Sequence, residues 1–218
     1  MSDNHAVKRI KKWVIYVSTV FLLIIGIIGV SIFILIYFQG QKELPTDGEY
    51  VSLGSSFAAG PGVGEREEGS PWLCHRSDSN YAKLVSDKMG YKLVDASCSG
   101  AVTANILTKG NIFTPAQIEA VTDRAKLVTL TTGGNDASYM GNLYAWSHQE
   151  EAVPLAWHLS GMTRVTPDSE VTNSLAELET NLEAIIHEIK ERAPKARIIL
   201  IDYLPILKEI PHRLQAAD

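Results

Sequence analysis

Three short segments of this chain carry residue types suited to acyl transfer, and each follows an apolar run. Leu53-Gly54-Ser55-Ser56-Phe57-Ala58-Ala59-Gly60 sets serine hydroxyls directly after a glycine. A sharp turn there presents them at the end of an extended segment, beside backbone N–H groups that can bind an oxyanion. Ala96-Ser97-Cys98-Ser99-Gly100-Ala101 consists of small residues, which let a backbone N–H approach a ligand closely. Thr132-Gly133-Gly134-Asn135-Asp136 holds a carboxamide in a turn tightened by two glycines, a group able to donate to a developing negative charge. A hydroxyl flanked by such donors suits ester cleavage through an acyl-enzyme. Any one of these segments equals an ordinary strand-to-helix turn. Three in succession point to a site.

The elements that must position them follow from periodicity. Tyr50 to Leu53 is a short strand ending at Gly54, Tyr91 to Ala96 a second, Leu127 to Thr131 a third, and Arg197 to Tyr203 a fourth. Between them, residues 79–89 show helical spacing at Tyr81, Leu84, Val85 and Met89, with Ser79 as N-cap and Gly90 as stop. Thr114-Pro115-Ala116-Gln117 has the composition of a helix start. Residues 173–192 form the clearest helix, with Leu175, Leu178, Leu182, Ile185, Ile186 and Ile189 in one stripe. Residues 137–172, which include Trp146, Trp157, His148 and His158, lack a clear period and are expected to form an insertion over the sheet edge. Alternating strands and helices with continuously apolar strands imply an α/β protein, a three-layer α/β/α sandwich around a mainly parallel sheet. Sites in such sheets form at the C-terminal strand ends, where the three segments lie.

Ahead of this domain, the 26 residues from Trp13 to Phe38 carry no charge. As a helix they extend about 39 Å, more than the ~30 Å hydrocarbon core of a bilayer. The run is too long for a signal peptide's apolar region and lacks a small-x-small cleavage site at Tyr37-Phe38-Gln39-Gly40. A transmembrane anchor is therefore expected over 13–38. Lys8, Arg9, Lys11 and Lys12 precede it, placing residues 1–12 in the cytoplasm and the rest outside, with 39–49 as a polar linker and 50–218 as the folded domain. Of the 20 basic and 25 acidic residues, four and one respectively lie in 1–12, so the remainder carries 16 against 24, a formal −8. Such an acidic domain has no electrostatic basis for binding nucleic acid. The two cysteines, Cys74 and Cys98, are too few for a metal site, and none is expected; they form either a disulfide, as an oxidising compartment favours, or two buried thiols.

A serine in a GDS(L)-like first motif, a glycine after the second strand and a GxND motif after the third together resemble the SGNH (GDSL-type) hydrolase family. The flanking residues VSLGSSFAAGPGV, a cysteine, NYAKLVSDKMG, SCSGA and TTGGND, in this order, resemble its actinobacterial lipase and esterase branch over about residues 50 to 205. The resemblance implies the flavodoxin-like fold of that family and a carboxylic-ester hydrolase without cofactor, acting on a small-molecule, lipid or glycan ester. It implies Ser56 as nucleophile, an oxyanion hole made by the N–H groups of Ser56 and Gly100 and the Asn135 carboxamide, and a Cys74–Cys98 disulfide. The sequence departs from the family twice. Ser55 stands where an aspartate usually precedes the serine, and no DxxH motif, the family's source of the general base, occurs in residues 1–218. The chain is thus expected to stop before the catalytic histidine, with a catalytically impaired binding or structural domain as the alternative. His5, His75, His148, His158, His187 and His212 have no sequence feature that places them beside Ser56. A dinucleotide loop at Gly60-Pro61-Gly62-Val63-Gly64 has the wrong spacing, and its proline removes a backbone donor.

Overall fold

The computed structural model describes residues 3–111, 113–147 and 166–203. Four parallel strands form one sheet: β1 (Tyr50–Gly54), β2 (Leu93–Asp95), β3 (Leu127–Thr131) and β4 (Arg197–Leu200), in the order β2-β1-β3-β4. Tyr50 is in register with Leu93 on one side and Leu127 on the other, and Leu127 with Arg197. All strands therefore end along one edge. The intervening helices are α2 (Ser56–Ala59), α3 (Tyr81–Met89), α4 (Thr103–Leu107), α5 (Tyr139–Ser147) and α6 (Asp168–Arg192).

Alternation along the strands sorts side chains onto two faces. Val51, Leu53, Val94, Val128 and Leu130 point to one face and pack with Ile106 of α4, Ile118, and Ile185 and Ile189 of α6. Tyr50 and Leu127 point to the other and pack with Ala82, Tyr81 and Val85 of α3. Both faces are covered, which is why β1 and β3 are buried at every residue and need no polar alternation. The fold is the expected three-layer α/β/α arrangement. At the sheet edge formed by β4 among the described residues, Ile199 and Leu200 are exposed.

The N-terminal helix α1 runs over Asp3–Gly40, two residues past the expected span into the expected linker. Its stretch Arg9–Gly40 is long and apolar enough to cross a membrane, and residues such as Leu22, Leu35 and Phe38 are exposed.

Four local expectations are corrected. Asn80, not Ser79, caps α3, its side chain accepting from the Lys83 N–H; Gly90 closes the helix as expected. No helix starts at Thr114, whose hydroxyl instead bonds the Asn111 carbonyl; a 3-10 turn follows at Gln117–Ala120. The long helix α6 begins at Asp168, five residues before the expected 173. Part of the expected insertion is the regular helix α5; His148, Trp157 and His158 lie outside the described residues, as does His212.

Candidate active site

The turn after β1 is held by its neighbours on both sides. Gly54 has φ 146°, and a Cβ there would lie 2.3 Å from the Thr131 carbonyl oxygen, so only glycine fits this close crossing. The buried Gln117 side chain grips the Gly54 peptide twice: Gly54 N–H donates to Oε1 at 2.7 Å, and Nε2 donates to the Gly54 carbonyl at 3.0 Å. The same carbonyl accepts from Cys98 N–H at 3.0 Å, and Ser55 N–H donates to the Thr131 carbonyl at 2.9 Å. The ends of β1, β2 and β3 are thus bonded to one another directly before Ser56, Gly100 and Asn135. Ser56 opens α2 and is half-buried, and its hydroxyl has no hydrogen bond among the described residues.

The loop after β2 is braced from beneath. Asp95 accepts from the N–H and hydroxyl of Ser97 at 3.0 and 2.6 Å and from Asn80 Nδ2 at 2.8 Å. Arg76, itself buried, donates from Nε and Nη2 to the Ser97 carbonyl at 3.0 and 2.9 Å and pairs with Glu67 at 3.2 Å. A buried guanidinium is tolerable because it is paired and its donors are spent on acceptors. Cys74 and Cys98 form a disulfide, and Ser99 N–H donates to the Cys74 carbonyl at 3.0 Å. Gly100 follows with φ 80°, a left-handed conformation that turns the backbone at this point.

After β3, the Asn135 carboxamide donates one hydrogen bond to the Ala101 carbonyl at 2.8 Å, which ties it to the Gly100 loop and leaves its second N–H available. Asp136 completes the tie. Its carboxylate accepts from Thr103 N–H at 3.0 and 3.2 Å and from the Thr103 hydroxyl at 2.6 Å, while Asn181 of α6 donates to that hydroxyl at 3.0 Å. Asn135 and Gly100 therefore belong to one cross-linked unit. Two buried hydroxyls without a partner among the described residues, Ser99 and Thr132, flank it.

Tyr203, three residues beyond β4, closes the arrangement. Its hydroxyl bonds Ser55 Oγ at 2.7 Å, and its ring lies 4.4 Å from that of Phe57 and 5.9 Å from that of Tyr139. A side chain at Gly134 would meet this ring at 2.6 Å. Burial raises the Tyr203 hydroxyl above the ordinary tyrosine range, with the Asp136 charge adding to it against the Ser55 and Gly134 hydrogen bonds. The buried Ser55 thus ties the turn after β1 to Tyr203 through a pair of hydroxyls. His75 and His187 are exposed, and neither bonds Ser56. No group of residues suited to a metal ion occurs among the described residues.

Sequence reasoning identified the three loops but missed the side chains that join them. Asp136 had a signal, its place beside Asn135. Gln117, Thr103, Asn181 and Tyr203 had none, because each acts on a residue at least 33 positions away.

The chain is a parallel α/β sandwich with a serine hydroxyl, a left-handed glycine and an asparagine amide at three adjacent strand ends. Residues 52–218 match the GDSL-like Lipase/Acylhydrolase family, and the chain belongs to it. It is 34% identical over 161 residues to Lipase 2 of Streptomyces coelicolor, covering 71% of this chain and 52% of that protein. It is 28% identical over 156 residues to a lipase of Streptomyces rimosus, with the same two coverages. The chain thus spans about half the length of these relatives. Among solved structures it is similar to the extracellular lipase of S. rimosus (26% identity, TM-score 0.55, 71% of this chain and 59% of that one). It is equally similar to phospholipase A1 of Streptomyces albidoflavus (25% identity, TM-score 0.55, 74% and 62%).

Proposed function

We propose that the protein is a serine esterase or lipase that cleaves carboxylic esters through an acyl-enzyme on Ser56. The Ser56 oxygen attacks the ester carbonyl, its proton passes to the histidine of a DxxH motif that the family resemblance implies and residues 1–218 do not contain, and the N–H groups of Ser56 and Gly100 with the second Asn135 N–H bind the oxyanion. Collapse of the tetrahedral adduct expels the alcohol, and water then releases the acid. The family resemblance assigns the base to a DxxH motif and not to His75 or His187. The observation that carries this reading is the set of cross-links from Ser55, Cys98 and Asn135 that fixes the three loops at one edge.

The same proposal includes location. Residues 13–38 span a membrane, residues 1–12 stay in the cytoplasm, 39–49 link, and 50–218 form the hydrolase domain outside. Its support is the open apolar surface of α1, the four basic residues before it, the disulfide, and the extracellular lipase among the similar structures. The substrate is a lipid, glycan or small-molecule ester, and no cofactor takes part.

Hydrolysis of p-nitrophenyl butyrate by this chain extended through a DxxH-bearing segment tests the activity, since residues 1–218 hold no such motif. Ser56→Ala reduces it to background and Asn135→Ala lowers kcat by about 10²–10³-fold, the usual value of one oxyanion donor. Undiminished turnover by Ser56→Ala rejects the reading.

A further inference from the structure

We propose that the globular domain dips two aromatic side chains, Trp72 and Phe113, into the outer leaflet beside α1, and that the groove between Trp72 and the helix seats a glycerophospholipid. This rests on the reading of α1 as a membrane anchor. Charges are absent between Lys12 and Lys42. At about 1.5 Å per residue these lysines stand about 45 Å apart, against about 40–45 Å for a bilayer with its headgroup layers. Lys12 and Lys42 therefore fall at the two phosphate levels.

The domain is seated on the helix below Lys42, not merely tethered above it. The Phe113 ring lies 5.6 Å from Phe33 and 5.3 Å from Tyr37, and Gln41 Nε2 donates to its carbonyl at 2.9 Å. Gly40 makes this approach possible, since a Cβ there would already stand 3.1 Å from Phe113. Phe33 is nine residues before Lys42, about 13 Å deeper along the axis. On the adjoining face, Trp72 N–H donates to Gln39 Oε1 at 3.0 Å, and the Trp72 side chain is 53% exposed. Tryptophan at that depth matches the interfacial belt of membrane proteins.

Between Trp72 and the helix lies a groove of about 670 Å³, walled by Ile32, Leu35, Ile36 and Phe38, with Lys42 at its rim. The helix wall of this groove is the surface that bilayer lipids surround, so an acyl chain fills it. Lys42 has no ion pair among the described residues and meets the phosphate; Glu67 nearby is taken up by Arg76 and Lys83. Glu43 and Glu68 line the cleft on the other side of Lys42, where a headgroup amine can sit. The dipping residues also belong to the segments that hold the Gly100 loop. Trp72 is two residues from Cys74, and Asn111, two residues from Phe113, donates to the Ser99 carbonyl at 2.8 Å. The catalytic edge is thereby held near the bilayer surface.

Fluorescence in phosphatidylcholine vesicles, plain or brominated at acyl positions 6 and 7, tests this with the full chain. Differences against Trp72→Phe and Trp13→Phe isolate the two indoles. The Trp72 contribution falls at least about twofold in brominated vesicles, Gln39→Ala weakens that loss, and Lys42→Gln lowers the phospholipid retained after detergent extraction. Quenching of Trp13 with Trp72 unaffected overturns the seat while sparing the anchor. Quenching of neither overturns both.

Discussion

Asp136 ties the loop of Asn135 to that of Gly100 through a single side chain, without itself standing in the proposed oxyanion hole. Its carboxylate satisfies both the N–H and the hydroxyl of Thr103, which is fully buried. Asp136→Ala leaves those donors without a partner, a loss of about 1–3 kcal/mol readable by urea unfolding. The same change lets the Asn135 loop drift from the Gly100 loop, so kcat falls more than KM rises, and Asp136→Asn recovers part of the rate by restoring one acceptor. Equal effects of Asn and Ala on kcat would contradict this. The three loops that hold Ser56, Gly100 and Asn135 were legible in the sequence as small-residue turns directly after apolar runs, whereas the roles of these residues are what the family resemblance implies. Gln117 was not. Its position three residues after Thr114 suggested a capping box, but its amide bonds Gly54, 63 positions away, and local pattern carries no trace of such a pairing.

At the scale of elements, β1 and β3 were legible to the residue at nearly every end because burial on both faces removes any alternation from the pattern. The start of α3 shifted because Asn80 caps better than Ser79 in this context, its side chain also reaching Asp95. The start at Thr114 failed because tertiary demands on Gln117 outweighed local propensity. β1 and β3 run side by side with Gly54 in register with Thr131, close beside the candidate site. Gly54→Ala places a Cβ against the Thr131 carbonyl in a backbone conformation that disfavours it, and is expected to cost more than about 3 kcal/mol in denaturant unfolding. Retention of wild-type stability by this variant would mean that the strands do not meet as described. Gly141→Ala in α5, where nothing lies within 4 Å and the backbone is helical, meets no such obstruction.

For the molecule as a whole, two features govern stability. The Cys74–Cys98 bond closes a loop across a separation of 24 residues, worth about 3 kcal/mol in the chain-entropy model, so dithiothreitol is expected to lower the unfolding free energy read from urea titration by that amount. Alkali acts through tyrosine. Burial pushes Tyr50 above its ordinary range, and it pushes Tyr203 in the same direction. The folded state therefore retains protons that the unfolded state gives up near pH 10, so stability is intact below that pH and falls as pH rises beyond it. Tyr203→Phe removes part of that alkaline slope; an unchanged slope in both Tyr203→Phe and Tyr50→Phe contradicts the assignment. The overall architecture and the apolar N-terminal helix were legible from composition and periodicity. The docking of that helix against Trp72 and Phe113 was not, because neither residue stands in a periodic segment.

The central claim is that the Ser56 hydroxyl accepts the acyl group. Treating the full-length protein with a fluorophosphonate and mapping the adduct by peptide mass tests it most directly. Ser56 as nucleophile predicts one modification, on the peptide containing Ser56, slowed by Asn135→Ala and absent in Ser56→Ala. A single adduct on another serine, or equal labelling of Ser56→Ala, contradicts it.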